Sequence, residues 1–337
     1  MEKFAFLTAA FGAMLITAAS GLLIVPALRK LHFGQTIKEI GPTWHAGKNG
    51  TPTMGGLTFY LGVLCGVVAG YAALALGAPK VLGDFASQQS VALFIAVLTS
   101  FAFGLVGFVD DYIKVVKKRN LGLRARAKIV AQILITGAFL MSLHLNGTLS
   151  TMVTLPLFGL VDLGYFFYPI SFLLVIGMVN AVNLTDGIDG LASSVTFVSM
   201  LGFLFISSML GQTSIAVFSA AVAGGCGGFL AWNFYPAKTF MGDTGSMFLG
   251  GAVVSAAYCM GRPELLLFLG VIYLVEAFSV MLQVSYFKLT HGKRIFKMSP
   301  IHHHFEMCGW SEIKIVAVFS LVCFIGVVLG CLFVYLY

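Results

Sequence analysis

Long uncharged runs alternate with short polar segments along the whole chain. A helix that crosses a bilayer needs about 20 mostly apolar residues, and most of these runs approach or exceed that length. The pattern predicts an all-α polytopic membrane protein, with residues 1–337 forming a single integral membrane domain. The uncharged runs are Phe4–Leu28, Thr51–Ala78, Phe85–Val109, Ile129–Leu145, Tyr168–Leu184, Leu191–Trp232, Ser246–Met260, Leu265–Phe287 and Ile315–Tyr337.

The run Leu191–Trp232 is too long for one span, and Gly211, Gln212 and Thr213 divide it, so we predict ten transmembrane helices. The first run is longer than the apolar part of a signal peptide, and its basic residues follow it. We therefore expect a retained helix with its N-terminus outside. Residues 146–167 contain short β-forming stretches around Pro156 and Gly159, which predict a small β-hairpin between the fourth and fifth helices.

Composition supports this class, because 59% of residues are hydrophobic, 10% are charged and the mean hydropathy is +0.96. Soluble domains are roughly 25% charged, so a soluble globular protein is excluded, as is a disordered chain. The six cysteines show no CxxC spacing and indicate neither a disulfide framework nor a zinc site.

Lys and Arg are distributed unequally between the two sides of the predicted bundle. Seventeen of the 20 fall on one side, in loops 29–50, 110–128, 180–192, 232–245 and 288–314. Basic loops remain in the cytoplasm, so we expect these loops there, with both termini and the hairpin in the periplasm. The net charge of +7 is then explained by topology, and no nucleic acid is expected as a partner.

Two adjacent carboxylates, Asp110 and Asp111, follow the third run and precede a basic loop that contains Lys114 and Lys128. Adjacent carboxylates repel unless a proton or a divalent cation intervenes. Mg²⁺ is usually bound by one or two carboxylates plus phosphates, and nearby cations would neutralise the remaining phosphate charge. The alternative is a solvated acidic helix end.

Polar residues recur at every third position in a second segment, Asn180, Asn183, Asp186 and Asp189. The glycines that follow the two aspartates favour a helix end that runs into a loop. Amides can recognise a nucleobase, and carboxylates can bind a ribose or a metal. A plain polar turn between two spans is the alternative.

Two further segments carry candidate chemistry on the same side. Asn233 ends a predicted span, and Asp243 lies between two glycines just before the next span, where it is suited either to a metal or to an N-cap. The triplet His302, His303 and His304 is more consistent with phosphate or sugar contacts than with zinc, which usually requires wider spacing.

The loop around Lys48 is rich in glycine, and such loops bind anions through backbone N–H groups, although this one lacks the P-loop spacing. All the polar segments fall on the predicted cytoplasmic face. Carboxylates, lysines and histidines together are suited to Mg²⁺-dependent phosphate chemistry. Their position at helix ends indicates one lipid substrate and one water-soluble substrate.

Five motifs, in order along most of the chain, resemble the phospho-N-acetylmuramoyl-pentapeptide transferase family of the polyprenyl-phosphate N-acetylhexosamine-1-phosphate transferase superfamily. The second, third and fourth are shared across the superfamily, whereas the first and last indicate the muramoyl-pentapeptide branch. The motifs are TPTMGG at 51–56, DDYIK at 110–114, NAVNLTDGIDGLA at 180–192, NFYPAKTFMGDTGS at 233–246 and PIHHHFE at 300–306.

The resemblance implies transfer of phospho-N-acetylmuramoyl-pentapeptide from its UDP derivative to undecaprenyl phosphate, giving lipid I and UMP. It also implies Mg²⁺, a cytoplasmic cleft in the bacterial plasma membrane and a homodimer. By position, Asp243 corresponds to the magnesium ligand, and Asp110, Asp111, Asp243 and His303 form the catalytic set. The positions that correspond to substrate contacts are Lys48, Asp186, Asn233 and Phe240 around the uridine, and Lys114, Lys128, Asn180, Asn183, Asp189, His302 and His304 elsewhere in the cleft.

Three other functions are compatible with parts of the pattern. A transporter would place ionisable residues near the bilayer midplane, where this chain has Glu276 within an apolar run. A sister enzyme would use UDP-N-acetylglucosamine. A prenyl transferase would require DDxxD, whereas this chain reads DDYIK. Within the favoured reaction, the lipid phosphate attacks directly, or a carboxylate forms a phospho-aspartyl intermediate.

Overall fold

The computed structural model describes residues 2–31, 48, 50–77, 87–117 and 122–337. Most of the glycine-rich loop before Lys48 and the start of the third predicted span lie outside these residues. Helices dominate, joined by short turns. They are α1 (Glu2–Lys30), α2 (Leu57–Gly77), α3 (Gln88–Val116), α4 (Ala125–Leu145), α5 (Phe167–Thr185), α6 (Leu191–Met209), α7 (Thr213–Asn233), α8 (Gly242–Cys259), α9 (Leu266–Leu269), α10 (Val271–Leu289), α11 (Ile301–Glu306) and α12 (Glu312–Leu336).

Among the described residues, nine helices are long and apolar enough to cross a membrane. The predicted division of the run Leu191–Trp232 is confirmed, because α6 ends at Met209 and α7 begins at Thr213. The predicted eighth span forms α8, which is not one of the nine. Its sequence is rich in Gly, Ala and Ser, and almost all its residues are buried against other helices. A helix that does not face lipid can be less hydrophobic than one that does.

The predicted ninth span is interrupted near its start. A 3₁₀ turn, Pro263–Leu265, leads into the single turn α9, and the long helix α10 begins after Gly270. A side chain at Gly270 would crowd the carbonyl oxygen of Leu266 at 2.6 Å and Met178 of α5 at 2.9 Å. Close packing against α5 therefore accompanies the break.

Small residues bring α1, α2 and α7 into close contact. The buried face of α1 has Ala5, Ala9 and Ala13 at intervals of four residues, and α1 packs against α2 and α7. Such spacing places small side chains on one helix face, where backbones can approach closely. Helix α7 is buried along almost its whole length and lies at the centre of the bundle.

The β-hairpin is confirmed between α4 and α5. Strand β1 (Met152–Leu155) pairs antiparallel with β2 (Gly159–Asp162), with Met152 opposite Asp162 and Leu155 opposite Gly159. The chain then enters α5 through a 3₁₀ turn at Gly164–Phe166.

Candidate active site

Three carboxylates from two helices meet at one end of the bundle. Asp110 and Asp111 lie near the C-terminal end of α3, and Asp243 lies in the first turn of α8. One oxygen from each carboxylate lies within 4.8 Å of the others. Helices α3 and α8 pack tightly along their length, and this packing brings together residues more than 130 positions apart. We call these three residues the acidic triad.

Two ammonium groups contact the acidic triad. Lys114 Nζ lies 2.6 Å from an Asp110 oxygen, 3.4 Å from Asp111 and 3.1 Å from Asp243. Lys128, in the first turns of α4, lies 3.0 Å from Asp243. Both lysines were predicted from the sequence as residues of a basic loop that contact the substrate, and the fold brings both ammonium groups to the carboxylates. Three carboxylates and two ammonium groups leave a negative balance, which favours a further cation.

Asp111 caps α8, although the sequence had left open that Asp243 did so. One Asp111 oxygen accepts both the backbone N–H and the side-chain hydroxyl of Thr244, each at 2.8 Å. Gly242 has φ of +69° just before this turn, and a Cβ there would overlap the Asp111 carboxylate. A negative group at a helix N-terminus is stabilised by the unpaired N–H groups there. Asp111 thus fixes the turn that carries Asp243.

The two asparagines at the C-terminal end of α5 have different partners. Asn183 donates to Asp243 at 2.9 Å and to the Ser246 hydroxyl at 2.8 Å. Asn180, one turn earlier, forms a reciprocal amide pair with Gln132 of α4, at 2.9 and 3.3 Å. Asn183 therefore belongs to the surroundings of the acidic triad, and Asn180 joins α5 to the helix that carries Lys128.

A second cluster of charges surrounds Lys48. Its ammonium lies 2.7 Å from Asp189 and 2.7 Å from Glu312 of α12. The second oxygen of Asp189 accepts the backbone N–H of Ala237 at 2.9 Å. Burial alone would lower the pKa of Lys48, but the hydrogen bonds to the two carboxylates outweigh burial and raise it. Lys48 is therefore a fixed cation that connects the turn containing Asp189 to the start of α12.

Asp186, in the turn after α5, is half-buried between the acidic triad and the Lys48 cluster. Burial raises its pKa well above the ordinary value, and the negative charges of Asp243, Asp111 and Asp189 add to the effect. This turn confirms the predicted helix end, since α5 stops at Thr185 and α6 starts at Leu191.

Asn233 and Phe240 shape the loop between α7 and α8. Asn233 is buried, accepts the N–H of Gly190 at 3.2 Å and donates to the carbonyl of Thr239 at 3.1 Å. The backbone N–H of Phe240 donates to the carbonyl of Pro52 at 2.8 Å. Asn233 thus connects the turn containing Asp186 to the loop that leads to Asp243.

The three histidines of α11 point to three different environments, as expected for consecutive residues of a helix. His302 is fully buried and bonds to Glu276 of α10 at 3.0 Å. His303 is partly buried and contacts Glu306. His304 accepts the backbone N–H of Lys297 at 3.1 Å. Each of the three histidines therefore has its own partner in the fold.

Several residues of these clusters were not predicted from the sequence as site residues, and three of them pair with predicted ones. Glu312 completes the Lys48 cluster, Gln132 pairs with Asn180, and Glu276 pairs with His302. Of these three, only Glu276 is unusual in the sequence, because it is a carboxylate within an apolar run. Gln132 and Glu312 resemble ordinary residues of a first helical turn or an amphipathic face, and only the fold shows their partners.

The acidic triad has the right chemistry for a divalent cation. Its donors are carboxylate oxygens, which Mg²⁺ prefers. No sulfur or imidazole ligand, which would indicate a softer metal, lies in the triad among the described residues.

Residues 93–261, which contain the acidic triad, match the sequence model of glycosyl transferase family 4. The phospho-N-acetylmuramoyl-pentapeptide-transferase of Heliobacterium modesticaldum is 47% identical over 326 residues, covering 95% of this chain and 96% of that protein. That of Caldicellulosiruptor bescii is 46% identical over 299 residues, covering 88% and 87%. That of Clostridioides difficile is 43% identical over 312 residues, covering 92% of each.

These relatives confirm the resemblance given by the five motifs, and the nine apolar helices agree with a multi-pass membrane protein. This chain therefore belongs to the phospho-N-acetylmuramoyl-pentapeptide transferase family and is a phosphoglycosyl transferase of bacterial peptidoglycan synthesis.

Proposed function

We propose that the protein transfers phospho-N-acetylmuramoyl-pentapeptide from its UDP derivative to undecaprenyl phosphate, giving lipid I and UMP. The observation that carries the proposal is the acidic triad with Lys114 and Lys128, at the ends of membrane helices. Such a site is suited to a phosphate-bearing lipid and a water-soluble diphosphate that meet at the membrane surface. The names of the relatives support the choice of sugar.

In this proposal the triad binds Mg²⁺, with Asp243 as its principal ligand. The bound metal would supply charge stabilisation on the diphosphate as UMP departs. Lys114 and Lys128 contact Asp243 and are positioned to neutralise phosphate oxygens. Asp111 holds the first turn of α8, and Asn183 orients the second oxygen of Asp243.

The remaining site residues are proposed to hold the UDP-sugar. Lys48, Asp186, Asn233 and Phe240 surround the uridine, with Asp189 supporting Lys48, and Asn180 belongs to the part of the cleft beside α4. The histidines of α11 lie on the sugar side, where His303 acts with the catalytic carboxylates and His302 and His304 border the sugar. The chemical step is direct attack of the lipid phosphate, which is already a nucleophile, so the protein mainly positions and neutralises.

We further propose that α8 is a tenth transmembrane segment, enclosed by the others. The acidic triad then faces the cytoplasm, and both termini and the β-hairpin face the periplasm. The Lys and Arg distribution of the sequence supports this orientation. Two copies form the homodimer that the family resemblance implies, and no nucleic acid takes part.

The test is UMP release by the purified protein in detergent with undecaprenyl phosphate. We expect release with UDP-N-acetylmuramoyl-pentapeptide and Mg²⁺, and loss of release with EDTA. Release of UMP only from UDP-N-acetylglucosamine would assign the protein to the sister enzymes that use that sugar. Absence of release from both, in protein shown to be folded, would contradict the proposal and favour a transporter.

The direct attack has a separate test. Incubation with labelled UMP and the UDP-sugar, without lipid, gives no exchange if the lipid phosphate is the nucleophile. Exchange under these conditions, or a trapped phospho-enzyme, would establish the phospho-aspartyl route instead.

A further inference from the structure

A buried hydrogen bond between a carboxylate and an imidazole lies next to the site without touching the acidic triad. Glu276 of α10 and His302 of α11 are both 0% exposed, and their side chains meet at 3.0 Å. A carboxylate within a membrane-spanning helix costs roughly 2.5–3.5 kcal/mol on insertion scales. Such a residue requires a specific partner, and here the partner belongs to the histidine motif.

The opposite edge of the His302 ring rests on the turn after α5. A Cβ on Gly187 would overlap His302 Nε2 and would lie 2.6 Å from Cε1. Glycine is therefore the residue that allows this contact. Within the described part of the chain, Nε2 has no hydrogen-bond partner. A carboxylate only accepts, so the bond to Glu276 places the ring proton on Nδ1.

The His302 ring thus contacts two parts of the candidate site, the turn after α5 and the neighbouring His303. Gly187 lies between Asp186 and Asp189, and the latter bonds to Lys48. On the other side, the centroids of the His302 and His303 rings are 4.1 Å apart. A rotation of His302 would displace both the turn with the two aspartates and the neighbouring histidine.

We propose that Glu276 is a positioning residue for the UDP-sugar substrate. It fixes the His302 ring, and through that ring it sets the distance between the Asp186 turn and His303. This inference rests on the proposed transferase reaction. Among the described residues, Glu276 contacts neither the acidic triad nor its lysines. We therefore expect its substitution to weaken binding of the UDP-sugar and to leave metal binding unchanged.

The experiment compares Glu276→Ala, Glu276→Gln and Gly187→Ala in the full-length protein, by UMP release at varied UDP-sugar concentration. Leaving a buried hydrogen-bond donor without its partner typically costs roughly 5–100-fold in an equilibrium constant. We expect Glu276→Ala and Gly187→Ala to raise KM for the UDP-sugar within that range. Glu276→Gln keeps an oxygen that accepts from Nδ1 and is expected to restore KM to within about threefold, since the hydrogen bond survives.

The matched control is Gly177→Ala, in the same helix-and-turn region, because a Cβ at Gly177 has no neighbour within 4 Å. We expect it to behave as the parent protein. The double variant Glu276→Ala, Gly187→Ala should show less than the sum of the two single effects, since both act through His302.

Several outcomes would overturn the inference. The first is an unchanged KM for the UDP-sugar in Glu276→Ala. The second is an equal rise in KM in Glu276→Gln and Glu276→Ala. The third is additivity of the two single effects on KM in the double variant. If Glu276→Ala does not fold, Glu276→Gln and Gly187→Ala still decide the matter, because Gly187 lies outside the apolar helices. A folded parent protein that releases no UMP would instead contradict the proposed function itself.

Discussion

Three polar side chains hold the carboxylate of Asp243 in place. Lys114 and Lys128 contact one of its oxygens, and Asn183 donates to the other. A carboxylate held on both oxygens has a fixed orientation. That orientation is what a metal ligand or a phosphate-positioning group requires.

Replacing Asp243 with Asn should reduce UMP release by roughly 100-fold or more, because the charge that balances the two lysines and binds the cation is removed. The measurement is steady-state UMP release across Mg²⁺ concentrations. Asp162→Asn, on the exposed hairpin, is the control and should retain full activity. Activity near that of the parent in Asp243→Asn would exclude Asp243 as the metal ligand.

Replacing Asp186 with Asn should stabilise the protein at neutral pH while weakening UDP-sugar binding. Its pKa is raised by burial and by neighbouring carboxylates, so the folded state binds the proton more tightly than the unfolded state. Stability from the protonated form is then lost as pH rises from the ordinary aspartate pKa of 3.8 through the raised pKa of the folded state.

The test of this prediction is thermal unfolding in detergent with EDTA at about pH 7.5 and about pH 4.5, with the parent protein beside Asp186→Asn. The variant should have the higher Tm at the higher pH, and the difference should shrink at the lower pH. A difference that grows as pH falls would contradict the assignment.

At the scale of the elements, the site depends on how closely α3 approaches α8. A Cβ on Gly107 of α3 would overlap the backbone carbonyl of Asp243. No side chain at this position is compatible with the observed distance between the two helices. The spacing of the acidic triad therefore follows from a glycine one turn before Asp110.

Gly107→Ala should abolish most activity and lower Tm. Alanine favours a helix by up to about 1 kcal/mol over glycine, but overpacking costs typically 1–3 kcal/mol and here forces two backbones apart. Gly137→Ala in α4 is the control, because its Cβ would meet only Phe172, at an ordinary 3.6 Å. Equal effects of the two substitutions on UMP release would show that the α3–α8 distance does not matter.

Helix ends were predictable from the sequence, because local signals set them. Gly211 and Gln212 divided α6 from α7, and the spacing from Asn180 to Asp189 gave the end of α5. The partners of the polar side chains were not predictable. Lys48 and Glu312 are 264 positions apart, and no local pattern records which distant carboxylate a lysine contacts. The break at Gly270 was likewise missed, since it accompanies close packing against α5, which is distant in the sequence.

At the scale of the whole molecule, the polar clusters share one end of the bundle and the hairpin lies after the opposite end of α4. The acidic triad, the Lys48 cluster and α11 all lie at helix ends predicted to be cytoplasmic from Lys and Arg counts alone. The structure therefore gathers the sequence motifs at one end of the bundle, the end that the Lys and Arg distribution predicts to be cytoplasmic.

Cys308 provides a direct test of that orientation, because it is exposed and follows α11. A membrane-impermeant maleimide should label it in inverted membrane vesicles and not in intact cells. Leu157→Cys, at the exposed hairpin turn, should show the opposite pattern in a Cys308→Ser background. Labelling of Cys308 in intact cells would reverse the proposed topology.

The enclosed position of α8 has a consequence for biogenesis. A segment rich in Gly, Ala and Ser partitions weakly into lipid when it leaves the translocon alone. Its main contacts, α3 and α5, both precede it in the chain and are already synthesised at that moment. In the proposed ten-helix topology, the helix that carries Asp243 therefore depends on earlier helices to enter the membrane, and assembly of the candidate site is coupled to the order of translation.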